Sequence, residues 1–206
     1  MDITLYYTPA TRAVRPRWLL EEMQLPYQLH PIDLFGGEAD SPEYLRINPH
    51  GAVPAAKIDG QVMLESGAIC QWLTDRYPDK GLAPKQGSKA RMSYEQWMYF
   101  TLGTLELPVW LTFLHGTILP EAQRVPAIVN WAAERNTPIL EILNSELEGK
   151  DYLLGSQFST ADIMVGSTLL WQPDAVQKYP PLQAYTERLT DRAAYQRAVT
   201  APSPPA

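Results

Sequence analysis

Three short segments carry the residue types that could do chemistry. Thr8-Pro9-Ala10-Thr11-Arg12 breaks a short apolar run and leads into a helical stretch, with Arg15 and Arg17 following. A helix starting after Thr11 leaves amides unpaired and the positive end of its dipole exposed, so this loop favours a negative charge. Glu65-Ser66 stands where a predicted strand ends and a predicted helix begins, and free amides there point toward a carboxylate. The alternative is a Ser66 that only caps its own helix beside a solvated Glu65. Val53-Pro54 opens another predicted strand. An X-Pro bond prefers trans by only about 0.5–1 kcal/mol, so that proline fits either an ordinary strand start or a cis bond that bends the backbone.

Composition excludes other chemistries. Cys70 is the single cysteine, so no internal disulfide and no multi-thiolate metal site can form. It falls on the apolar side of its helix, where a buried, inert thiol is expected. His30, His50 and His115 are far apart in sequence, and no metal is expected. A net charge of -6 argues against a nucleic-acid partner. No segment approaches the roughly 20 uninterrupted apolar residues of a membrane span, and no basic, then apolar leader opens the chain. The expectation is a soluble, cytoplasmic protein without a membrane partner.

The 206 residues allow two domains, each with a core of its own. Ile3 to Tyr7 reads as a strand, Arg12 to Met23 as a helix halted by Pro26, and Tyr27 to Leu34 as a second strand. Ser41 caps a short helix with Pro42 at its first position. Two antiparallel strands, 53–58 and 62–64, flank the tight turn Asp59-Gly60, and a helix runs from 65 to 77. Beyond a linker the strand signals stop, and helical patterns run over 88–110, 120–147, 159–170 and 180–189. The predicted domains are therefore an α/β domain over 1–78, a linker over 79–87, and an all-helical domain over 88–206. The tail Ala201–Ala206 is expected to fray.

The order βαβ, helix, ββ, helix followed by a helical bundle resembles the cytosolic glutathione S-transferases. The resemblance is carried by Tyr6 to Thr11 with Arg17 to Glu22, by Asn48-Pro49-His50-Gly51-Ala52-Val53-Pro54, by Leu64 to Ile69, and by Phe158-Ser159-Thr160-Ala161-Asp162-Ile163. Together these cover nearly the whole chain. The resemblance implies a thioredoxin-like N-terminal domain (βαβαββα), an all-α C-terminal bundle, a homodimer, and a detoxifying enzyme with glutathione as co-substrate. A small hydrophobic electrophile would be its other partner.

The same resemblance implies a role for each residue. Val53 would pair its backbone with the cysteinyl unit of glutathione beside a cis Pro54, as an added strand does. Ser66 would take the γ-glutamyl carboxylate, and Glu65 would face the ammonium. His50 either reaches the glycine carboxylate or is a plain loop histidine, since Gly51 and Ala52 stand where many relatives carry a basic residue. The loop is of the bacterial, serine/threonine type. Thr11 falls where the delta, theta and zeta classes carry their catalytic serine, and Arg12 where the beta class carries a cysteine. Thr11 is thus the first choice for stabilising the thiolate, with the Arg12 amide assisting and Thr8 as the rival. Arg12 and Arg15 either add positive potential near the sulfur or pair with acids across a dimer interface.

An electrophile pocket would be lined by Tyr94, Trp97, Met98, Thr101, Leu102 and Trp110, though aromatic residues at helical spacing are more often core. Ser159 to Asp162 reads as a structural capping box. Two alternatives use the same fold: a glutathione-dependent reductase of disulfides or peroxides, and a non-catalytic interaction module.

Overall fold

The computed structural model describes residues 1–200; the tail expected to fray lies outside the described residues. The chain divides into two compact units, Gly81–Leu189 and a unit made of Met1–Lys80 with residues 190–200. The sequence pattern places residues 190–200 in the helical domain; their contacts group them with the α/β unit.

In that unit β1 (Ile3–Tyr7), α1 (Val14–Met23), β2 (Gln28–Pro31), α2 (Pro42–Leu45), β3 (Ala55–Ile58), β4 (Gln61–Leu64) and α3 (Ser66–Arg76) follow in order. The sheet order is β2-β1-β3-β4, with β1 parallel to β2 and antiparallel to β3, and β3 antiparallel to β4. This is the thioredoxin-like arrangement. Asp59 and Gly60 both take positive φ, 47° and 87°, the geometry that closes a two-residue hairpin with the strands' own twist. Ser41 caps α2 by accepting from the Tyr44 N–H at 3.2 Å.

Strand alternation sends β1 side chains to two faces. On one, Tyr6 packs with Ile32, Ala39, Tyr44 and Ala55. On the other, Tyr7 is fully buried, its ring under the Arg17 guanidinium and its hydroxyl donating to the Ala198 carbonyl at 3.4 Å. That carbonyl belongs to the last described helix, Ala193–Val199, which lies against α1. The contact is both apolar and ionic. Trp18 meets Tyr195 edge to face, Arg192 clasps the Glu22 carboxylate at 2.6 and 2.8 Å, and Arg197 Nε donates to Glu21 at 2.6 Å. Burial pushes the Glu21 carboxyl up, but bonds from Arg197 and Tyr27 outweigh it and hold the group below its ordinary value. Tyr27 is raised to about 12 by burial and by its bond to Glu21.

The helical unit contains α4 (Lys89–Phe100), α5 (Glu106–Phe113), α6 (Pro126–Leu147), α7 (Thr160–Leu169), α8 (Pro173–Val176) and α9 (Pro180–Thr190); Ala193–Val199 is then α10. The helix predicted to end at Trp110 continues to Ile118, with π-helical turns at Thr101–Leu105 and Leu114–Ile118. Pro108 has no N–H for the Thr104 carbonyl and its ring crowds that group, which accounts for a widened turn just before it. The predicted linker is fastened to this unit: the Leu82 carbonyl accepts from Thr160 N–H at 2.8 Å.

Every residue of α7 is buried, and its start is organised by Asp162. Oδ2 accepts from the Ser159 N–H and hydroxyl at 2.8 and 2.9 Å, and Oδ1 from the Leu153 N–H and Tyr185 hydroxyl at 2.9 and 3.0 Å. The capping box read from sequence is present and reaches two further segments of the core. Asp162→Ala would strip acceptors from these buried donors, each worth about 1–3 kcal/mol, and should cost several kcal/mol in urea unfolding. Burial lifts the Asp162 carboxyl above its ordinary value against the pull of those four bonds. A raised folded-state value means its contribution is full below the unfolded pKa and is lost as pH rises through the folded one. The stability of the native protein minus that of Asp162→Asn should therefore decline as pH rises through the acid range.

Candidate active site

Three pieces of backbone in the α/β unit enclose a cleft of about 240 Å³. The loop after β1 contributes Arg12; the segment before β3 contributes Asn48, His50, Ala52, Val53 and Pro54; the β4–α3 junction contributes Leu64, Glu65 and Ser66. The cleft falls a little below the roughly 300 Å³ where small-molecule sites usually begin, so these residues alone do not fully enclose a tripeptide-sized ligand. Of the residues singled out from sequence, Arg12, His50, Val53, Pro54, Glu65 and Ser66 come together here, and Thr11 does not line the cleft.

The Val53-Pro54 peptide is cis. Just before it, the Ala52 carbonyl accepts from the Tyr44 hydroxyl at 2.7 Å and from Asn48 Nδ2 at 2.6 Å. Asn48 Oδ1 in turn accepts from the His50 N–H at 3.0 Å. The turn needs Gly51, which sits at φ 59° with its Cβ position 3.1 Å from both the Ala39 carbonyl and Asp40 Oδ1. Among the described residues Val53 forms no backbone hydrogen bond, so its N–H and C=O are left as an open edge next to β3.

At the β4–α3 junction, Glu65 takes φ 67° and ψ 114°, a conformation that costs a non-glycine residue about 1–3 kcal/mol. Its carbonyl accepts from Ile69 N–H at 2.9 Å, which makes Glu65 the capping residue and Ser66 the first helical one. This rules out the alternative in which Ser66 caps its own helix: the chain turns one residue earlier, and Glu65 takes the capping position. The amides of Ser66, Gly67 and Ala68 precede the first intrahelical bond and remain available to an anion. Ser66 Oγ accepts from Arg15 Nη1 at 3.2 Å, which leaves its own proton to be donated.

Arg15 is fully buried between this hydroxyl and the helix core. Burial raises the Cys70 thiol to about 12, against the pull of Arg15, so this cysteine is the inert thiol expected.

The loop after β1 directs its hydroxyls inward. Thr8 Oγ1 donates to the Ile32 carbonyl at 2.6 Å, and Thr11 Oγ1 donates to the Thr8 carbonyl at 2.7 Å. Thr11 also accepts from the Ala13 N–H at 3.2 Å, so it staples the turn into α1. Sequence reasoning missed Tyr44 and Asn48 as positioning groups and the Arg15–Ser66 bond. Asn-Pro-x-Gly was a visible signal for the second; Tyr44 carried none. Of the aromatic-rich set on the first long helix, Tyr94, Trp97, Met98 and Thr101 are core residues of the helical unit, while Leu102 is exposed and Trp110 half-buried. Among the described residues no three His, Cys, Asp or Glu side chains form a metal-holding group.

A four-stranded sheet of this order, with a cis-proline before β3 and the start of α3 lining the same cleft, defines a thioredoxin-fold protein. The profile of the glutathione S-transferase N-terminal domain matches residues 5–81, and that of the C-terminal domain matches residues 109–193. Glutathione S-transferase D7 of Drosophila melanogaster is 31% identical over 86% of this chain and 78% of its own. The disulfide-bond oxidoreductase YfcG of Escherichia coli is 28% identical over 96% and 94%. The structure of a glutathione transferase homologue from Sulfitobacter with bound glutathione superposes with a TM-score of 0.84, at 26% identity over 95% and 96%. The chain belongs to the glutathione S-transferase family and is an enzyme of the glutathione transferase class.

Gly51→Ala tests the segment that presents Val53. The added methyl meets two oxygens in a left-handed backbone, so a loss of about 1–3 kcal/mol in urea unfolding is expected.

Proposed function

We propose that this protein binds glutathione in the cleft of its α/β unit, activates it as the thiolate and adds it to a small hydrophobic electrophile. The observation that carries this reading is the juxtaposition of the open Val53 edge with the amides at the start of α3. The cysteinyl backbone of glutathione pairs with Val53 as an added strand, and the γ-glutamyl carboxylate takes the Ser66 amide and hydroxyl. Glu65 faces the ammonium, and His50, on the Asn48-pinned turn, takes the glycine carboxylate. The loop of Thr11 and Arg12 is left for the sulfur. A free thiol with a pKa near about 8.5 is mostly protonated at neutral pH, so that loop must favour the anion.

A cytoplasmic homodimer is the form proposed for the enzyme. Among the described residues no helix is long and apolar enough to cross a membrane. A second reading is favoured by one finding: the Escherichia coli relative is a disulfide-bond oxidoreductase. On that reading the same thiolate attacks a disulfide instead of a carbon electrophile.

Calorimetry with glutathione, followed by parallel assays of conjugation to an activated aryl halide and of glutathione-dependent disulfide reduction, separates the readings. Binding with conjugation is expected; binding with reduction alone supports the second reading, and binding without turnover marks a non-catalytic module. No heat of association at millimolar glutathione sinks the proposal. Ser66→Ala should raise the glutathione Kd by about tenfold, as for a hydrogen bond to a charged group worth about 1.5 kcal/mol.

A further inference from the structure

Four hydroxyls at the end of β1 and in the following loop lie near the candidate sulfur position in sequence, and three have acceptors elsewhere. Thr8 gives its proton to the Ile32 carbonyl and is buried, and Tyr7 gives its proton to the Ala198 carbonyl. Thr11 has a single hydroxyl proton, and the Thr8 carbonyl takes it at 2.7 Å while the Ala13 N–H occupies a lone pair. Turning that proton toward a ligand would break its bond to the Thr8 carbonyl. Tyr6, the fourth, is buried with its ring against His30 and Tyr44 on the opposite sheet face from Tyr7. The single residue of this loop that lines the cleft is Arg12.

We propose that the guanidinium of Arg12, rather than the hydroxyl of Thr11, is the catalytic group that stabilises the sulfur anion of bound glutathione. This rests on the reading of the cleft as a glutathione site and assigns the group that acts on the sulfur within it. A guanidinium stays charged throughout the working pH range and offers several N–H donors, so it favours S⁻ without acting as a base. The S–H bond breaks, its electron pair stays on sulfur, and the proton passes to solvent; Arg12 is chemically unchanged. Thr11 is then a positioning residue: it closes the turn that aims Arg12 into the cleft. Charge stabilisation also survives without a serine or cysteine in the loop, the two residue types that are absent between Thr8 and Ala13.

The test is the ultraviolet thiolate absorbance of the glutathione complex titrated against pH in the native protein, Arg12→Gln, Arg12→Lys and Thr11→Val. Calorimetry with S-methylglutathione, which has no ionisable sulfur, is run in parallel. Arg12→Gln is expected to raise the apparent thiol pKa by one to two units, about 10- to 100-fold less thiolate at a given pH, with S-methylglutathione affinity little changed. Arg12→Lys should recover part of the shift, and Thr11→Val should move it several-fold less than Arg12→Gln. An unchanged thiol pKa in Arg12→Gln, a larger shift in Thr11→Val, or an equal loss of S-methylglutathione affinity in Arg12→Gln would overturn the assignment. Failure of the native protein to bind glutathione at all would instead remove the underlying reading of the cleft.

Discussion

The Ala52 carbonyl accepts two short hydrogen bonds, from the Tyr44 hydroxyl and from the Asn48 amide, and the shape of the cleft follows from that clamp. A carbonyl pinned on both lone pairs fixes the peptide plane that leads into Val53, and so the direction in which the Val53 backbone faces. Burial raises Tyr44 to about 12, opposed by Asn48, so it stays a protonated donor across the neutral range. Its ring also belongs to the apolar cluster on the Tyr6 face of the sheet. One side chain thereby ties the core of the α/β unit to the segment that carries Val53, and Gly51 permits the reversal that brings Asn48 back to the same carbonyl.

The electrostatics of the cleft come from groups of different kinds. Helix α3 presents unpaired amides at Ser66, and the strained Glu65 sets where that helix begins. Behind Ser66 a buried Arg15 donates to its hydroxyl oxygen, which leaves the hydroxyl proton to be donated elsewhere. Arg12 lines the cleft, while the threonines of the same loop are spent on closing the turn. A chain of net charge -6 thus keeps local sites suited to anions, because oriented amides and a few arginines govern the field at contact distance more than net charge does.

The expected elements of the α/β unit all formed, since each carried two agreeing signals: apolar periodicity inside and a specific stop or start residue at its end. Pro26, Ser41-Pro42 and Asp59-Gly60 acted as local backbone constraints and needed no tertiary help. Helices α8 and α10 were not foreseen. α8 is four residues long, and α10 is a short segment whose apolar and charged residues make sense only against α1, through Trp18, Glu21 and Glu22. The first long helix ran past its predicted end because a proline near the start of α5 was absorbed as a widened turn instead of a break.

By itself the chain determined its fold class, the order of elements from β1 to α3 and six of the residues that meet in the cleft, because turn residues, caps and strand alternation act over a few neighbours. Tertiary structure decided which donors remain open. A hydroxyl can serve a ligand or the backbone but has one proton, and whether Thr11, Thr8 or Tyr7 spends it inward depends on carbonyls at Thr8, Ile32 and Ala198. Two of those three acceptors lie far along the chain and become neighbours only once sheet and helices have packed.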